Sequence, residues 1–455
     1  MTDALHECDV LVAGGGNAAL CAAISARRSG ADVMMLDSAP KALRGGNARH
    51  SRNFRIAHDE PTPWVQGRYP AGDYRSDLQA VAGSAVDETL AHLLIGESAG
   101  ILDWMAGNGV RFQSATDGVL PYSRKTAFFL GGGKALINAL YATADGLGVD
   151  VRHDSEVCAF HPADGSTAVT VLRDGRKETI RAGAVVVATG GFQADGDWLR
   201  DRWGEAADGF IIRGTPHATG RLLRVLLDGG ADPVGAPGHC HIVAVDGRSP
   251  GFDGGIVTRL DGVAHGIVVD RDGRRFADEG EHVGPTRFSV WGDRVARCPG
   301  TVAFSIFDST IERNFRPSIF PAVRAASIGE LAAKLDIAPA VLESTVAAFN
   351  AAVRAGGHTE GILPAKTRLA APVAVPPFGA YPMRAGVTST CLGVRVDCKA
   401  RVLRSNGSPL GGIFAAGVIM APNILGHGYL AGSAMTIGAV FGRIAGREAA
   451  AHARR

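Results

Sequence analysis

Asp9-Val10-Leu11-Val12-Ala13-Gly14-Gly15-Gly16-Asn17-Ala18-Ala19-Leu20 sets three glycines between a short apolar strand and an alanine-rich helix, an arrangement suited to holding a phosphate. Gly14 allows the tight turn and Gly16 lets the backbone approach a pyrophosphate. Ala19, the small third residue of G-x-G-x-x-[GA], lets the helix sit close on its strand. The free N–H groups and positive end of that helix then meet the anion, so Gly14, Gly15, Gly16, Asn17, Ala18 and Ala19 are the candidate phosphate contacts. The next predicted strand, Asp32-Val33-Met34-Met35-Leu36, ends at Asp37, with Ser38 beside it. Asp37 is placed to accept hydrogen bonds from an adenosine ribose. A glycine triplet alone marks an ordinary turn. Strand, turn, helix, strand and acid in one βαβ unit read as a site for FAD or NAD.

These elements must be carried by a large chain. At 455 residues it exceeds one compact core and reads as two or three domains. An apolar fraction of 46% with 61 glycines fits a globular α/β protein with many tight turns. Lys plus Arg at 47 nearly cancel Asp plus Glu at 45, so no global field recruits nucleic acid, and attraction for an acidic substrate must be local. The N-terminus lacks the basic and apolar regions of a signal peptide, and no uncharged apolar run is long enough to span a membrane. A cytoplasmic protein is expected. Seven scattered cysteines without C-x-x-C spacing give no support to a disulfide framework, a metal site or an iron-sulfur cluster.

Ala18 to Ser29 reads as the first crossover helix, and Asp87 to Asn108 as a second helical stretch. A second glycine cluster, Gly131-Gly132-Gly133, opens a helix to about Leu147. It is not a P-loop, because G-x-x-x-x-G-K-[ST] is not met around Lys134, and close packing of a helix start on the first domain accounts for it equally well. Val149 to Phe160 and Thr167 to Ile180 alternate as hairpin strands with a turn at Asp174-Gly175. Ala184 to Val187 then reads as a buried parallel strand ending in Ala188-Thr189-Gly190-Gly191, as two-dinucleotide-binding-domain flavoproteins show where the chain returns beside the cofactor. From about Pro237 the texture changes to prolines, histidines and arginines, with an amphipathic stretch at Ile328 to Arg354. The small-residue helix Ala431 to Ala451 can pack tightly on a sheet. The expected domains are 1–236 and 386–455, together an FAD-binding fold, and an inserted domain, 237–385.

The fingerprint, Ala188-Thr189-Gly190-Gly191 and the terminal Gly412-Ile413-Phe414-Ala415-Ala416-Gly417 together resemble the fumarate reductase/succinate dehydrogenase flavoprotein superfamily. Arg44-Gly45-Gly46-Asn47, Ala127 to Leu136, Ile212-Arg213-Gly214-Thr215 and Phe441 to Glu448 bring the resemblance closest to the tricarballylate dehydrogenase flavoproteins. It implies an α/β fold: a Rossmann-like FAD-binding domain with an inserted α+β capping domain that closes over the flavin, substrate lying between the two. The cofactor implied is non-covalent FAD, held also by Gly45, Gly46, Asn47, Val157, Thr189, Gly190 and Gly417. The activity implied is oxidation of tricarballylate to cis-aconitate, a C–C single bond becoming an alkene. Electrons would pass to a separate, membrane-associated acceptor protein, or to quinone or oxygen, so peripheral contact with the inner membrane face is expected.

The resemblance also supplies site residues. A capping-domain histidine anchors a substrate carboxylate, and His241 in Gly238-His239-Cys240-His241 matches it best, with His239 the near miss. Gly273-Arg274-Arg275-Phe276-Ala277-Asp278-Glu279 matches a segment followed by a proton-relaying arginine, here Arg287. An arginine, with a pKa above about 12, can relay a proton only if desolvated and linked to a carboxylate such as Glu279 or to water. Thr258-Arg259 stands where fumarate reductases carry Thr-Glu, and the added guanidinium suits a third carboxylate. Arg384 completes the expected clamp. Thr388 and Thr390 replace histidines and would bind a carboxylate neutrally, and Tyr429 replaces a C-terminal arginine, so succinate and fumarate are poor substrates on this basis. Two further departures concern the flavin: Val418 replaces the acid that binds the ribityl chain, and Asn47 falls where succinate dehydrogenases attach flavin through histidine. The alternatives are a 3-ketosteroid-type dehydrogenase and, in a different class, a flavin-binding redox sensor.

Overall fold

Strand His6–Ala13 is apolar along its buried half, Val10 to Ala13, as a parallel strand covered on both faces must be. In the computed structural model, which describes residues 6–115, 124–163, 165–283, 287–315 and 318–454, it pairs in parallel with Val33–Leu36 on one side and Arg176–Val187 on the other. The sheet runs Arg401–Leu403, Pro409–Ala415, Arg176–Val187, His6–Ala13, Val33–Leu36, Asp150–Arg152, and the hairpin Ser155–Ala163/Ser166–Arg173 adds two more strands. The five strands from Pro409–Ala415 to Asp150–Arg152 pair in parallel, so Gly14, Asp37, Thr189 and Gly417 all follow carboxyl ends at one edge of the sheet. That edge is where open α/β sheets bind ligands.

Helix Asn17–Arg28 returns the chain across the sheet and is buried along Asn17 to Ile24. Its partner is the last helix, Ser433–Ala453. Gly438, Gly442 and Gly446 stand four residues apart on one face of that helix. A Cβ at Gly442 would lie 2.5 Å from the Ala18 carbonyl oxygen and 2.9 Å from the Cys21 Cβ, and one at Gly446 would lie against the Ala22 carbonyl. The helices therefore touch backbone to backbone.

The chain forms two compact units, Met1–Asp195 with Thr215–His241 and Ser389–Arg455, and Gly196–Gly214 with Ile242–Thr388. It passes from one to the other within the strands Pro233–Asp246 and Phe378–Val394. In the second unit, Trp291, Phe304, Phe307, Phe349 and Tyr381 centre the core, with strand Val302–Asp308 antiparallel to both Ile267–Asp270 and Phe378–Val394. Segment 196–214 belongs to this unit, although it lies outside the stretch whose prolines and histidines set the sequence-based boundary.

Several elements differ from the sequence expectation for local reasons. Asp174-Gly175 does make the hairpin turn, but it joins Ser166–Arg173 to one continuous strand, Arg176–Val187. The first half of that strand is antiparallel to Ser166–Arg173, while its apolar end is parallel to His6–Ala13. The 87–108 stretch is two helices, Glu88–Ser98 capped by Asp87 and Ile101–Ala106, interrupted at Gly100. Likewise 328–354 divides into Ile328–Lys334 and Pro339–Ala352, because Pro339 fits a first turn but not a helix interior.

Candidate active site

The fingerprint turn is bonded to its neighbours on both sides: Gly14 N–H donates to the Leu36 carbonyl at 2.8 Å, and Ala188 N–H donates to the Ala13 carbonyl at 2.8 Å. Gly14 has φ +121°, and a Cβ there would meet the Ala188 carbonyl, so only glycine brings the turn this close to Thr189. At Gly15 a Cβ would meet the carboxylate of Asp37 and the hydroxyl of Tyr141. Asp37 is 6% exposed and its Oδ1 accepts from the Ala39 N–H at 3.2 Å. Burial pushes its pKa up to about 6, against the opposing pull of the Ala39 N–H and the Tyr141 hydroxyl.

A Cβ at Gly46 would lie 3.9 Å from the Gly16 Cα, and one at Gly417 would touch that of Ala18 at 2.8 Å, so the Gly45-Gly46 turn and the strand end at Gly417 both meet the fingerprint. Ala18 and Ala19 are buried, which leaves backbone N–H groups as what the helix start offers a phosphate. The Asn17 amide is used structurally, donating to the Met435 carbonyl at 2.9 Å. Asn47 Oδ1 accepts from Thr215 N–H at 3.1 Å. Val157 is buried in strand Ser155–Ala163, Ser38 is half-buried, and Val418 sits half-buried in the turn Gly417–Ile419. This glycine cradle with a buried acid at the end of the next strand fits an adenine dinucleotide.

The same unit carries the ring pairs. His239 and His241 alternate along Pro233–Asp246, and His427 and Tyr429 share their spacing in the turn before the last helix. The His241 and Tyr429 rings lie face to face, 3.7 Å apart and 4° from parallel, and His239 and His427 are 4.9 Å apart and tilted by 43°. Thr390 is buried, and its hydroxyl oxygen accepts from the Phe192 N–H at 3.2 Å.

The second unit holds the cations. Arg259 is ion-paired to Asp261 at 2.7 Å, its side chain 8% exposed. The buried Thr258 hydroxyl donates to the Gly255 carbonyl at 3.3 Å. Arg384 Nη1 donates to the Gly209 carbonyl at 3.3 Å. Thr388 Oγ1 accepts from Arg213 Nη1 at 2.6 Å, while Arg213 Nε donates to the Gly255 carbonyl at 3.3 Å. Arg213 thus joins Thr388 to the loop before Thr258 and Arg259.

Glu279 has both oxygens taken: Oε1 by Arg275 Nε at 3.0 Å and the Val268 N–H at 2.9 Å, and Oε2 by Arg275 Nη2 at 2.6 Å. It braces the core of its unit. Nearby Lys366 is buried, donates Nζ to the Gly266 carbonyl at 2.6 Å, and is pushed down to about 8 by burial, against the pull of Glu279. Arg287 opens helix Arg287–Ala296, and its side chain lies outside the described residues.

A family model described as FAD binding domain matches residues 9–435. The chain belongs to that family. Its cofactor is FAD, and the curated relatives to which it is similar include fumarate reductases. Among curated relatives, the NADH:fumarate oxidoreductase of Klebsiella pneumoniae is 27% identical over 467 residues, covering 98% of this chain and 48% of the relative. The cytochrome-type fumarate reductase of Shewanella frigidimarina is 26% identical over 459 residues, covering 98% and 78%. This chain therefore spans about half of the first relative and over three quarters of the second. Two solved structures share the fold. The open conformation of a flavocytochrome c3 fumarate reductase matches with TM-score 0.80 and 24% identity, over 99% of this chain and 79% of that one. The 3-ketosteroid Δ4-(5α)-dehydrogenase of Rhodococcus jostii, in complex with 4-androstene-3,17-dione, matches with TM-score 0.71 and 22% identity, over 99% and 98%.

Sequence reasoning missed three residues of the FAD-binding fold and the cation cluster. Tyr141 reaches Gly15 and Asp37 from helix Gly132–Gly146, and its only sequence signal is its place on the helix opened by the second glycine cluster. Arg213 stood inside a segment already singled out, without a role. Arg55 is buried on strand Asn53–Arg55 and holds Asp77 at 3.0 Å, the Tyr69 hydroxyl at 2.6 Å and the Ala431 carbonyl at 2.9 Å. It anchors the turn that carries Tyr429. No helix among the described residues is long and apolar enough to cross a membrane, and none of their His, Cys, Asp and Glu side chains group as a metal site.

Proposed function

We propose that the protein is an FAD-dependent dehydrogenase that removes two hydrogens from adjacent carbons of a polycarboxylate, tricarballylate becoming cis-aconitate. The observation that carries this is the buried and half-buried guanidinium and hydroxyl set of Arg213, Thr388, Thr258 and Arg259, polar groups of the kind that recognise carboxylates. FAD, bound without a covalent link, supplies the hydride acceptor. Arg259 and Arg384 pair with substrate carboxylates, Thr388 and Thr390 donate neutral hydrogen bonds to them, and Thr258, whose proton goes to the Gly255 carbonyl, holds the loop that carries Arg259. His241 takes a further carboxylate oxygen, its ring held flat by Tyr429. Polarising one carboxylate acidifies the adjacent C–H, and Arg287 takes that proton on its way to water. The two electrons pass on to a separate acceptor protein, quinone or oxygen.

Anaerobic titration of the purified yellow protein with tricarballylate, succinate and a 3-ketosteroid tests this. Loss of the flavin absorbance with tricarballylate alone is expected, and a flavin indifferent to it refutes the assignment. The stacked His241–Tyr429 and tilted His239–His427 pairs offer a planar surface, which favours a ring ketone as the second reading. Bleaching by the steroid alone would establish that one.

A further inference from the structure

The ribose acid is not held by its own strand alone. Tyr141, buried on helix Gly132–Gly146, directs its hydroxyl at two acceptors, the Gly15 carbonyl at 3.0 Å and Asp37 Oδ2 at 3.4 Å. Its ring is fixed from outside by the Arg44 guanidinium, 4.9 Å from the ring centroid, and Arg44 is itself held to Asn138 at 2.8 Å. The other carboxylate oxygen, Oδ1, accepts from Ala39 N–H, so both oxygens of Asp37 are fixed from the protein side. We propose that Tyr141 is a positioning residue of the adenosine site: its one hydroxyl ties the phosphate-binding Gly15 peptide to Asp37 and presents the Asp37 carboxylate to the ribose hydroxyls of FAD.

A phenol has one proton to donate. When Asp37 is ionised, that proton is shared between the Gly15 carbonyl and Oδ2, and the remaining carboxylate lone pairs accept from ribose. When Asp37 is protonated, its O–H donates to the Tyr141 oxygen while Tyr141 donates to Gly15. The acid then closes on the tyrosine and offers ribose only the oxygen already bonded to Ala39. Capture of FAD therefore follows the ionised acid. The charged and titratable groups around it are His153, whose Nδ1 lies 4.0 Å from Oδ2, with Asp154, Arg44 and Lys41. Burial lowers the pKa of His153, which disfavours its charged form beside the acid.

The test is the FAD dissociation constant of the apoprotein, read by quenching of flavin fluorescence, for wild type, Tyr141→Phe, Asp37→Ala and the double variant. Tyr141→Phe keeps the ring and its Arg44 contact, so its thermal midpoint without FAD stays at the wild-type value while FAD binding weakens about tenfold. In the Asp37→Ala background the same substitution costs clearly less, because only the bond to the Gly15 carbonyl is left to lose. The acid limb of FAD affinity also moves to higher pH in Tyr141→Phe, since the lost hydrogen bond had favoured the ionised acid. Wild-type affinity in Tyr141→Phe, or an equal loss with and without Asp37, overturns the assignment.

Discussion

Replacing Gly446 by Ala tests whether the last helix closes the FAD-binding unit by backbone contact. The new Cβ would lie 2.9 Å from the Ala22 carbonyl carbon, 3.0 Å from its Cα and closer still to its oxygen. All three atoms are backbone, so no side chain can swing aside and the two helices must part. Overpacking of this kind costs about 1–3 kcal/mol, and three backbone clashes put this site at about 3. The alanine also returns about 1 kcal/mol of helix propensity, leaving a net loss of about 2 kcal/mol. For a chain of 455 residues, at about 1 °C per kcal/mol, the melting midpoint falls by about 2 °C. Gly96 is the control: it sits on the exposed side of helix Glu88–Ser98, and a Cβ there meets nothing within 4 Å. Gly96→Ala should therefore gain about 1 kcal/mol, and the two identical substitutions differ in sign. Thermal unfolding followed by circular dichroism, with both variants beside wild type, reads the difference. A Gly446→Ala protein that melts at or above wild type would refute the backbone contact. Gly438→Ala should be milder, because the nearest atom to its Cβ is the Asn17 side-chain amide at 2.9 Å, which can move.

Lys366 has its pKa lowered to about 8 by burial, so between about 8 and its ordinary 10.5 the unfolded chain binds more protons than the folded one. Stability should rise with pH across that window, and urea midpoints of Lys366→Met should lack the rise; a wild-type slope in the variant would show that another group titrates there. Arg55→Met leaves the Ala431 carbonyl and the Tyr69 hydroxyl without their donor and breaks a largely buried pair with Asp77, a loss of about 3 kcal/mol. Asp77 is held below the ordinary carboxylate range: burial pushes it up, and the hydrogen bonds from Lys125 and Tyr69 with the nearby cations outweigh that. Its contribution is full above about pH 4 and fades as the pH falls below it, so the gap between wild type and Asp77→Asn should shrink on acidification. A gap that persists unchanged at pH 3 would rule the pair out as its source.

The FAD-binding fold was legible in the sequence because its signature is local. A strand, a glycine turn, a helix and an acid lie within the first forty residues, although what crowds Gly14 and Gly15 includes the distant Ala188 and Tyr141. The long strand Arg176–Val187 was misread as two pieces because it changes partners midway, which leaves an alternating half and a fully apolar half with no break in the chain. Segment 196–214 joins the second unit through pairings with distant chain, such as Ile211 and Ile212 on Gly386 and Val387, and periodicity carries no record of those. Glu279 matched a motif as a reacting group, yet both its oxygens are spent on Arg275 and Val268, a fact set by packing alone. Tyr141, Arg55 and Arg213 went unnoticed for the same reason: each acts on a residue far away in sequence, and its own neighbours give no hint of it.

The glycine face of the last helix also fixes when the protein can become yellow. Asn17 at the start of the phosphate-binding helix is bonded to the Met435 carbonyl, 418 residues downstream, and the close approach at Gly442 and Gly446 lies farther still. In synthesis the glycine turn is made long before the surface that packs on its helix, which emerges only after the whole second unit. A ribosome-bound chain halted before Ser433 holds every fingerprint residue and lacks the partner that seats them. Firm seating of the glycine turn therefore waits for Ser433–Ala453, and contacts of such long sequence separation form slowly. Until it occurs, the alanine-rich face of the first helix stands open, a stage at which the protein most depends on chaperones and on the cellular supply of FAD.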